Sequence, residues 1–250
     1  MLIGLGIALI AIFFGGSDKS LLLSDVDKYV KKEIQDKDRK AIIEQESKAV
    51  AKLDKAYAKR TKRHTKELVA MVSNHNTSLD EYEVFFAELM AYEIESSESY
   101  IVHRITVQET LTNDEWMVML AEANKEIKKA EKSNAKLLVE FKKGLAKSKD
   151  RLLMAIPPDK VEEAELATIK LHKVMYDFAE ELLESNQLED QLLTSQGATE
   201  ADLLKVIDLD NTRWLGLLNG FAQLHNNLSE IVPEGNWKPI ATELTKLIKI

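Results

Sequence analysis

The scarcity of helix-breaking residues is the feature that most constrains this chain. Its first 156 residues contain no proline, and all 250 residues include 9 Gly and 4 Pro. Sheets with many tight turns need these residues often, because Gly and Pro dominate turns. Hydrophobic residues make up 45% of the chain and charged residues 30%, a balance that suits long amphipathic helices. The sequence therefore predicts an all-α protein, built as an elongated antiparallel helical bundle or coiled coil.

The amino terminus is strongly apolar. Residues 2–14 (LIGLGIALIAIFF) contain no polar side chain. A helix of about 15 residues spans roughly 22 Å, so an anchor here must recruit following residues or thin a hydrocarbon layer of about 30 Å. A cleaved signal peptide has an apolar stretch of similar length, but the basic residues that normally precede it are missing here. We predict that residues 1–17 form a single-pass membrane anchor helix, with a signal segment as the alternative.

Charge is distributed unevenly along the chain. Residues 17–66 contain 15 Lys and Arg against 9 Asp and Glu, whereas the whole chain carries a net charge of -8. The sequence therefore predicts a basic juxtamembrane stalk helix over residues 18–75, attracted to anionic lipid, and an acidic helical bundle over residues 76–250. A solvated lysine-rich helix is the alternative interpretation of the stalk.

The basic residues beside the anchor also predict its orientation. Lys19, Lys28 and Lys31 follow the apolar segment, and no Lys or Arg precedes it. Because Lys and Arg resist translocation, this asymmetry predicts that the bulk of the chain faces the cytoplasm. An extracytoplasmic location stays open as the alternative.

Apolar spacing and capping signals divide the chain into helices. A thin stripe interrupted by polar residues predicts one helix over residues 21–73, exposed as a stalk or packed as a single layer against a partner. Ser78 with Glu81, and Thr112 with Glu115, have the spacing of a capping box. The further predicted helices cover residues 79–111, 112–156, 159–194, 199–232 and 239–250.

Two of these helices carry residues at alternating spacings of four and three, as in the seam of a left-handed coiled coil. Asn134 and Asn211 occupy seam positions, where we interpret them as fixing register and partner choice. His225 lies in the second seam and is interpreted as a hydrogen-bonded core residue. The first seam is Trp116, Leu120, Ala123, Ile127, Ala130, Asn134, Leu137 and Phe141, and the second is Ile207, Asn211, Trp214, Leu218, Phe221, His225 and Leu228.

Short turns near residues 75, 157 and 197 predict antiparallel packing of the second helix with the third and of the fourth with the fifth.

The sequence lacks the common catalytic and metal-binding patterns. It has no Cys, and none of its 5 His follows a Glu at the spacing that di-iron bundles require. P-loop, dinucleotide-binding, His-Glu-x-x-His and Gly-x-Ser-x-Gly patterns are absent as well. We therefore expect no enzyme activity, no catalytic, cofactor-binding or metal site, and no cofactor.

Charged clusters point to lipid more than to nucleic acid. Residues 59–66 (KRTKRHTK) form the densest basic cluster and could contact phosphates. Few aromatic residues lie among them, and the acidic remainder of the chain would repel a polyanion, so nucleic acid is disfavoured as a partner. A run of four glutamates is interpreted as a solvated helix face. These glutamates are Glu88, Glu93, Glu95 and Glu98.

Two resemblances lead to two functional hypotheses. An uncharged amino terminus, one anchor, a basic juxtamembrane helix and acidic bundles resemble bacterial membrane-tethered coiled-coil regulators of cell division. That architecture implies a membrane-anchored, non-enzymatic helical scaffold that organises partner proteins or membrane at the bilayer surface, by contact with lipid, proteins or its own copies. Residues 111–116 (LTNDEW), after His103 and Arg104, look like the Leu-Thr-x-x-Gln segment of small periplasmic helical chaperones and metal-stress sensors. This second likeness implies an extracytoplasmic helical-bundle sensor or chaperone-like binding protein.

We predict that residues 2–14 stay on the mature protein, because a basic leader is lacking. Intact-mass measurement of protein extracted from membranes should therefore give the mass of the full chain. A mature chain beginning at Asp18 would show that the segment is a cleaved signal.

Overall fold

The computed structural model describes Val26 and residues 32–248. Side-chain placement is described for these residues except 122–138, 140–141, 179–191, 193–194 and 210. Helices joined by short connections make up this part of the chain, which contains no strand, so the predicted all-α class is confirmed. The predicted anchor at residues 1–17 lies outside the described residues. None of the helices between residues 37 and 248 is long and apolar enough to cross a bilayer.

Six α-helices and two short 3-10 helices account for the described fold. The α-helices are α1 Lys37–Ser73, α2 Leu79–Thr110, α3 Asn113–Ala155, α4 Val161–Thr194, α5 Glu200–Ile231 and α6 Trp237–Ile248. The 3-10 helices are Pro158–Lys160 before α4 and Glu234–Asn236 before α6. At 1.5 Å per residue, α1 and α3 are about 55 and 65 Å long, so the bundle is elongated.

The single helix predicted over residues 21–73 is interrupted. Val26 is helical, residues 32–36 are not, and α1 starts at Lys37. The Asp36 carboxylate accepts hydrogen bonds from the backbone N–H groups of Asp38, at 2.8 Å, and Arg39, at 3.0 Å. An aspartate that bonds these amides is a helix N-cap. The prediction missed this cap because Asp36 lies among other charged residues and looks like ordinary helix surface.

Capping boxes start three of the helices. Ser78 with Glu81 caps α2 and Thr112 with Glu115 caps α3, as the spacing predicts. Thr199 caps α5 through the same reciprocal bonds, in this case with the side chain of Asp202. These caps place the short turns that fold the chain back on itself.

The helices pack as a ring at the end of the bundle where α6 lies. Going round, α1 contacts α2, α2 contacts α5, α5 contacts α4, α4 contacts α3, α3 contacts α6, and α6 contacts α1. The predicted pairing of α4 with α5 is confirmed, but α2 and α3 share no extended contact among the described residues. The consecutive residues Phe85 and Phe86 are both buried, so α2 is covered on more than one side. It accordingly lies between α1 and α5, and the predicted pairing of the second helix with the third is wrong.

All six helices contribute to the main hydrophobic core around α6, and a second core lies at the opposite end. The main core contains Leu152, Leu171, Phe221 and Ile240, and the second contains Ile43, Val107 and Trp116. Trp116 and Leu120, at the start of the seam on α3, are buried. The side chains in the middle of that seam, including Asn134, lie outside the described residues, so coiled-coil packing stays a prediction.

Two glutamines tie the turn between α4 and α5 to the end of α2. The Gln108 side chain donates to the carbonyl oxygens of Gln196 and Ala198, both at 3.0 Å. The Gln196 side chain donates in return to the carbonyl oxygens of Gln108, at 3.1 Å, and Leu111, at 2.8 Å. These bonds satisfy carbonyl groups at a helix end and hold the two hairpins in register.

We expect Leu152→Ala to lower the free energy of unfolding by about 2 to 5 kcal/mol, because Leu152 is 2% exposed in the main core. Met154→Ala on the same helix should change it by less than roughly 0.5 kcal/mol, because Met154 is 85% exposed. Chemical denaturation followed by circular dichroism measures both values. Small and equal losses would show that α3 does not pack against the core as described.

Candidate functional surface on helix α1

Helix α1 turns acidic side chains inward, toward α2. The Glu46 carboxylate pairs with Nδ1 of His103 at 2.5 Å, and the Asp54 carboxylate accepts a hydrogen bond from the Tyr100 hydroxyl at 2.6 Å. Burial raises the pKa of Tyr100, and its bond to Asp54 raises it further, so the phenol stays protonated and donates. These carboxylates therefore add little negative charge to the outer surface of α1.

In another pair of the same interface, α1 supplies the hydroxyl group and α2 supplies the carboxylate. The Tyr57 hydroxyl on α1 lies 3.0 and 3.1 Å from the two carboxylate oxygens of Glu93 on α2. Burial and the Glu93 charge raise the pKa of Tyr57, so it too remains a donor. Glu93 is buried, which corrects its interpretation as part of a solvated face. The other glutamates of that run, Glu88, Glu95 and Glu98, are exposed.

The basic cluster at residues 59–66 divides between the two sides of α1. His64 is buried, and its Nε2 atom accepts a hydrogen bond of 3.1 Å from Nε of Arg60. The Arg60 guanidinium lies 5.0 Å from the centre of the Tyr92 ring, a cation–π contact. Burial lowers the pKa of His64, and the Arg60 charge lowers it further, so the ring stays neutral and can accept. The exposed members of the cluster are Lys59, Lys62, Arg63 and Lys66.

The outer face of α1 is basic and carries no exposed acidic residue between residues 41 and 66. Of the 13 exposed residues in this span, 7 are Lys or Arg, 4 are Ala, and the others are Ile42 and Gln45. Six lysines recur at steps of 4, 3, 4, 3 and 4 residues and so form one stripe about 27 Å long. Among the described residues, none of these six lies within ion-pair distance of an acidic side chain. This lysine stripe consists of Lys48, Lys52, Lys55, Lys59, Lys62 and Lys66.

The lysine stripe leads into a groove between α1 and α6. Val69 and Ser73 continue the helical spacing of the stripe, and both line this groove, which has a volume of about 640 Å³. The α6 side contributes Lys238, Lys246, Thr242 and Thr245, and Glu234 and His75 also line it. Lys246 pairs with Glu243 on its own helix, while Lys238 is exposed. Lys238 therefore places one exposed cation beside the end of the lysine stripe, in a lining that also contains Glu234.

A pair of histidines holds this end of the bundle together. Nε2 of the fully buried His225 donates to the carbonyl oxygen of Asn74 at 3.1 Å, and Nε2 of His75 donates to that of Val232 at 2.8 Å. Both rings pack against Trp237, with ring centres 5.0 and 5.2 Å apart and planes nearly perpendicular. These contacts tie the turn after α1 to the end of α5 and the start of α6. They confirm that His225 is a hydrogen-bonded core residue.

All three tryptophans of the chain pack in its hydrophobic cores. Trp116 and Trp237 are buried, and Trp214 packs against the ring of Phe178 in the main core. Asn211 is half-buried, whereas the Asn134 side chain lies outside the described residues. Across the described part of the chain, no three His, Asp or Glu side chains converge as a metal site would require.

Sequence reasoning located the basic residues but missed their arrangement. The spacing of the six lysines is visible in the sequence and could have identified the stripe. The inward direction of Glu46 and Asp54 could not be found in this way, because their partners His103 and Tyr100 lie some fifty residues further along the chain.

This chain matches no protein-family profile, no curated protein and no solved structure. Its functional interpretation therefore depends on its own residues and geometry.

We expect acid to destabilise the fold through His225. Burial lowers the pKa of His225 to about 4, below the value of about 6.5 in an unfolded chain. The unfolded state then takes up a proton first as the pH falls, so the stability present above pH 6.5 is lost progressively toward pH 4, by roughly 3 kcal/mol. His225→Gln keeps an N–H donor for Asn74 and cannot titrate, so its free energy of unfolding should depend less on pH. Urea denaturation at several pH values measures this dependence.

His75→Gln is a control that should change the pH dependence of the free energy of unfolding in the opposite direction. Burial lowers the pKa of His75, but hydrogen bonds to Asn76 and Val232 outweigh that effect and raise it. Protonated His75 therefore stabilises the fold in acid, and its removal should steepen the loss of stability. His64 and His172 also have lowered pKa values and should leave a residual acid sensitivity in both variants. Identical pH profiles for wild type and His225→Gln would show that burial does not keep the His225 ring neutral.

Proposed function

We propose that this chain is a membrane-anchored, non-enzymatic helical scaffold that organises partner proteins at the bilayer surface, with its bulk in the cytoplasm. The observation that carries this proposal is the apolar segment at residues 2–14 followed by a helix whose exposed charged residues between residues 41 and 66 are all basic. Apolar residues supply a tether, and basic residues close to it are attracted to anionic lipid head groups. The short apolar segment is a marginal span by itself, so added affinity from a basic surface would strengthen attachment.

The side of the ring away from α1 is suited to partner proteins. Helix α4 lies three positions from α1 around the ring, so it would face away from a membrane on the α1 side. It exposes apolar side chains at Leu166, which is 62% exposed, and Ile169, which is 47% exposed. Contiguous exposed apolar residues mark protein contact sites, and Leu166 and Ile169 are neighbours on the helix surface, three residues apart. We propose that α4 receives partner proteins or a second copy of this chain.

Deletion of residues 1–17 tests the tether. Because about 0.5 M salt screens electrostatic contacts, the full chain should stay in the membrane fraction after such a wash, and the deletion variant should become soluble. Unchanged helical circular dichroism of the deletion variant would show that its fold is intact. Release of the full chain by salt alone would contradict the tether.

A reporter fused after Ile250 tests the orientation. Activity of a reporter that works only in the cytoplasm is the expected result. Activity of a reporter that works only outside the cytoplasm would instead favour the extracytoplasmic sensor or chaperone-like protein.

A further inference from the structure

We infer that the lysine stripe of α1 and the adjoining groove beside α6 dock onto the head groups of an anionic phospholipid bilayer. The bundle then lies along the membrane instead of standing away from it on a stalk. This inference rests on the proposed function and adds the residues that contact the lipid and the orientation of the bundle.

Charge segregation is the first argument for this surface. Soluble helices usually intersperse both signs of charge on their exposed faces, whereas residues 41–66 expose 7 basic residues and no acidic one. Arg63 is the one of these 7 that forms an ion pair, with Glu67 at 3.3 Å. The acidic residues Glu46 and Asp54 are turned inward and paired with α2. Outer positions on α2 carry the opposite sign, as at Glu88, Glu95 and Glu98. An anionic leaflet would attract the α1 face and repel the α2 face, which defines how the bundle is oriented.

Shape is the second argument. The stripe runs about 27 Å along one side of a single helix and therefore presents a long, narrow face to a flat surface. Four of the six other exposed residues in the span are alanines, namely Ala41, Ala51, Ala56 and Ala58. Such small side chains let the helix approach closely, while the lysine stems lie along the interface and place their ammonium groups among the phosphates. No aromatic residue is exposed in this span, so the stacking that single-stranded nucleic acid favours is not offered there.

The groove adds a cation and a hydroxyl group that suit a head-group phosphate. They belong to the exposed Lys238 and to Thr245. The hydroxyls of Ser73 and Thr242 also line the groove but already donate to the carbonyl oxygens of Val69, at 2.7 Å, and Lys238, at 2.8 Å. Glu234 is also present in the lining. Both ring nitrogens of His75 are already bonded, to Val232 and Asn76, so this histidine holds the groove in shape. Basic contact is thereby extended beyond the last lysine of the stripe.

Amine labelling of the full chain in vesicles tests the docking. The protein is reconstituted in phosphatidylcholine alone, or with about 30% phosphatidylglycerol, and each lysine is quantified by mass spectrometry after brief acylation. At low salt the six stripe lysines should be labelled several-fold less in the anionic vesicles than in the neutral ones. About 0.5 M salt should remove this protection. Lys170 on α4 and Lys205 on α5, both exposed, should be labelled equally in all conditions.

Two matched triple variants distinguish the effect of the lysine stripe from the effect of the total net charge. Replacing every second lysine of the stripe with Gln should restore labelling of the other three in anionic vesicles, because the remaining charges bind far more weakly. Replacing three exposed lysines elsewhere with Gln changes net charge equally and should leave the protection unchanged. The stripe variant carries K52Q, K59Q and K66Q, and the control variant carries K147Q, K170Q and K205Q.

Each outcome decides between the docking and the tether. Stripe lysines that are equally reactive in both lipids, on protein that stays with the vesicles, would overturn the docking and leave the tether. Protection in anionic vesicles with no retention by neutral vesicles would support the docking and overturn the tether. Retention by neither vesicle type would overturn both. Equal or stronger protection by single-stranded poly(U) in place of vesicles would overturn the choice of lipid.

Discussion

The surface of this protein depends on how the carboxylates of α1 are placed. Removing a carboxylate from water is unfavourable unless hydrogen bonds compensate, and α2 supplies such bonds to the buried Glu46 and the half-buried Asp54. Because these acids face inward, the lysines on the opposite side of α1 are not neutralised by them. Arg60 and His64 face inward for a related reason, since Tyr92 on α2 offers its ring to both. A single interface thus determines both the register of α1 on α2 and the charge of the outer face.

The short helix α6 completes this arrangement at one end of the bundle. It lies between α1 and α3, and its first residue, Trp237, packs against the rings of His75 and His225 and donates to the carbonyl oxygen of Val72 at 3.2 Å. A large aromatic residue that also satisfies its N–H group stabilises a junction through both packing and hydrogen bonding. The groove exists because α6 is held beside the last turns of α1. The basic face of α1 therefore gains Lys238 from a segment distant in sequence.

Opposite faces of the ring suit different contacts. On the α1 side, positive charge and small side chains favour a flat anionic surface, where electrostatic attraction falls steeply with salt. Around the ring, α4 exposes Leu166 and Ile169, which favour a less polar partner. In the proposed docking, a bundle lying on its α1 side would present α4 away from the bilayer but close to its surface. Such a scaffold would hold a partner at a distance set by the thickness of the bundle, whereas an upright stalk would hold it at the length of a helix.

Local chemistry explains which features the sequence by itself determined. The scarcity of Gly and Pro dictates the helical class, and the caps at Ser78, Thr112 and Thr199 follow from residues three positions apart. Tertiary structure decided the rest: the placement of α2 between α1 and α5, the burial of Glu93, and the division of residues 59–66 between two faces. A cap closes hydrogen bonds within one helical turn, so its signal is contained in the local sequence. The direction in which a charged side chain points depends instead on a partner such as Tyr57 for Glu93, which only the packing of another helix brings into reach.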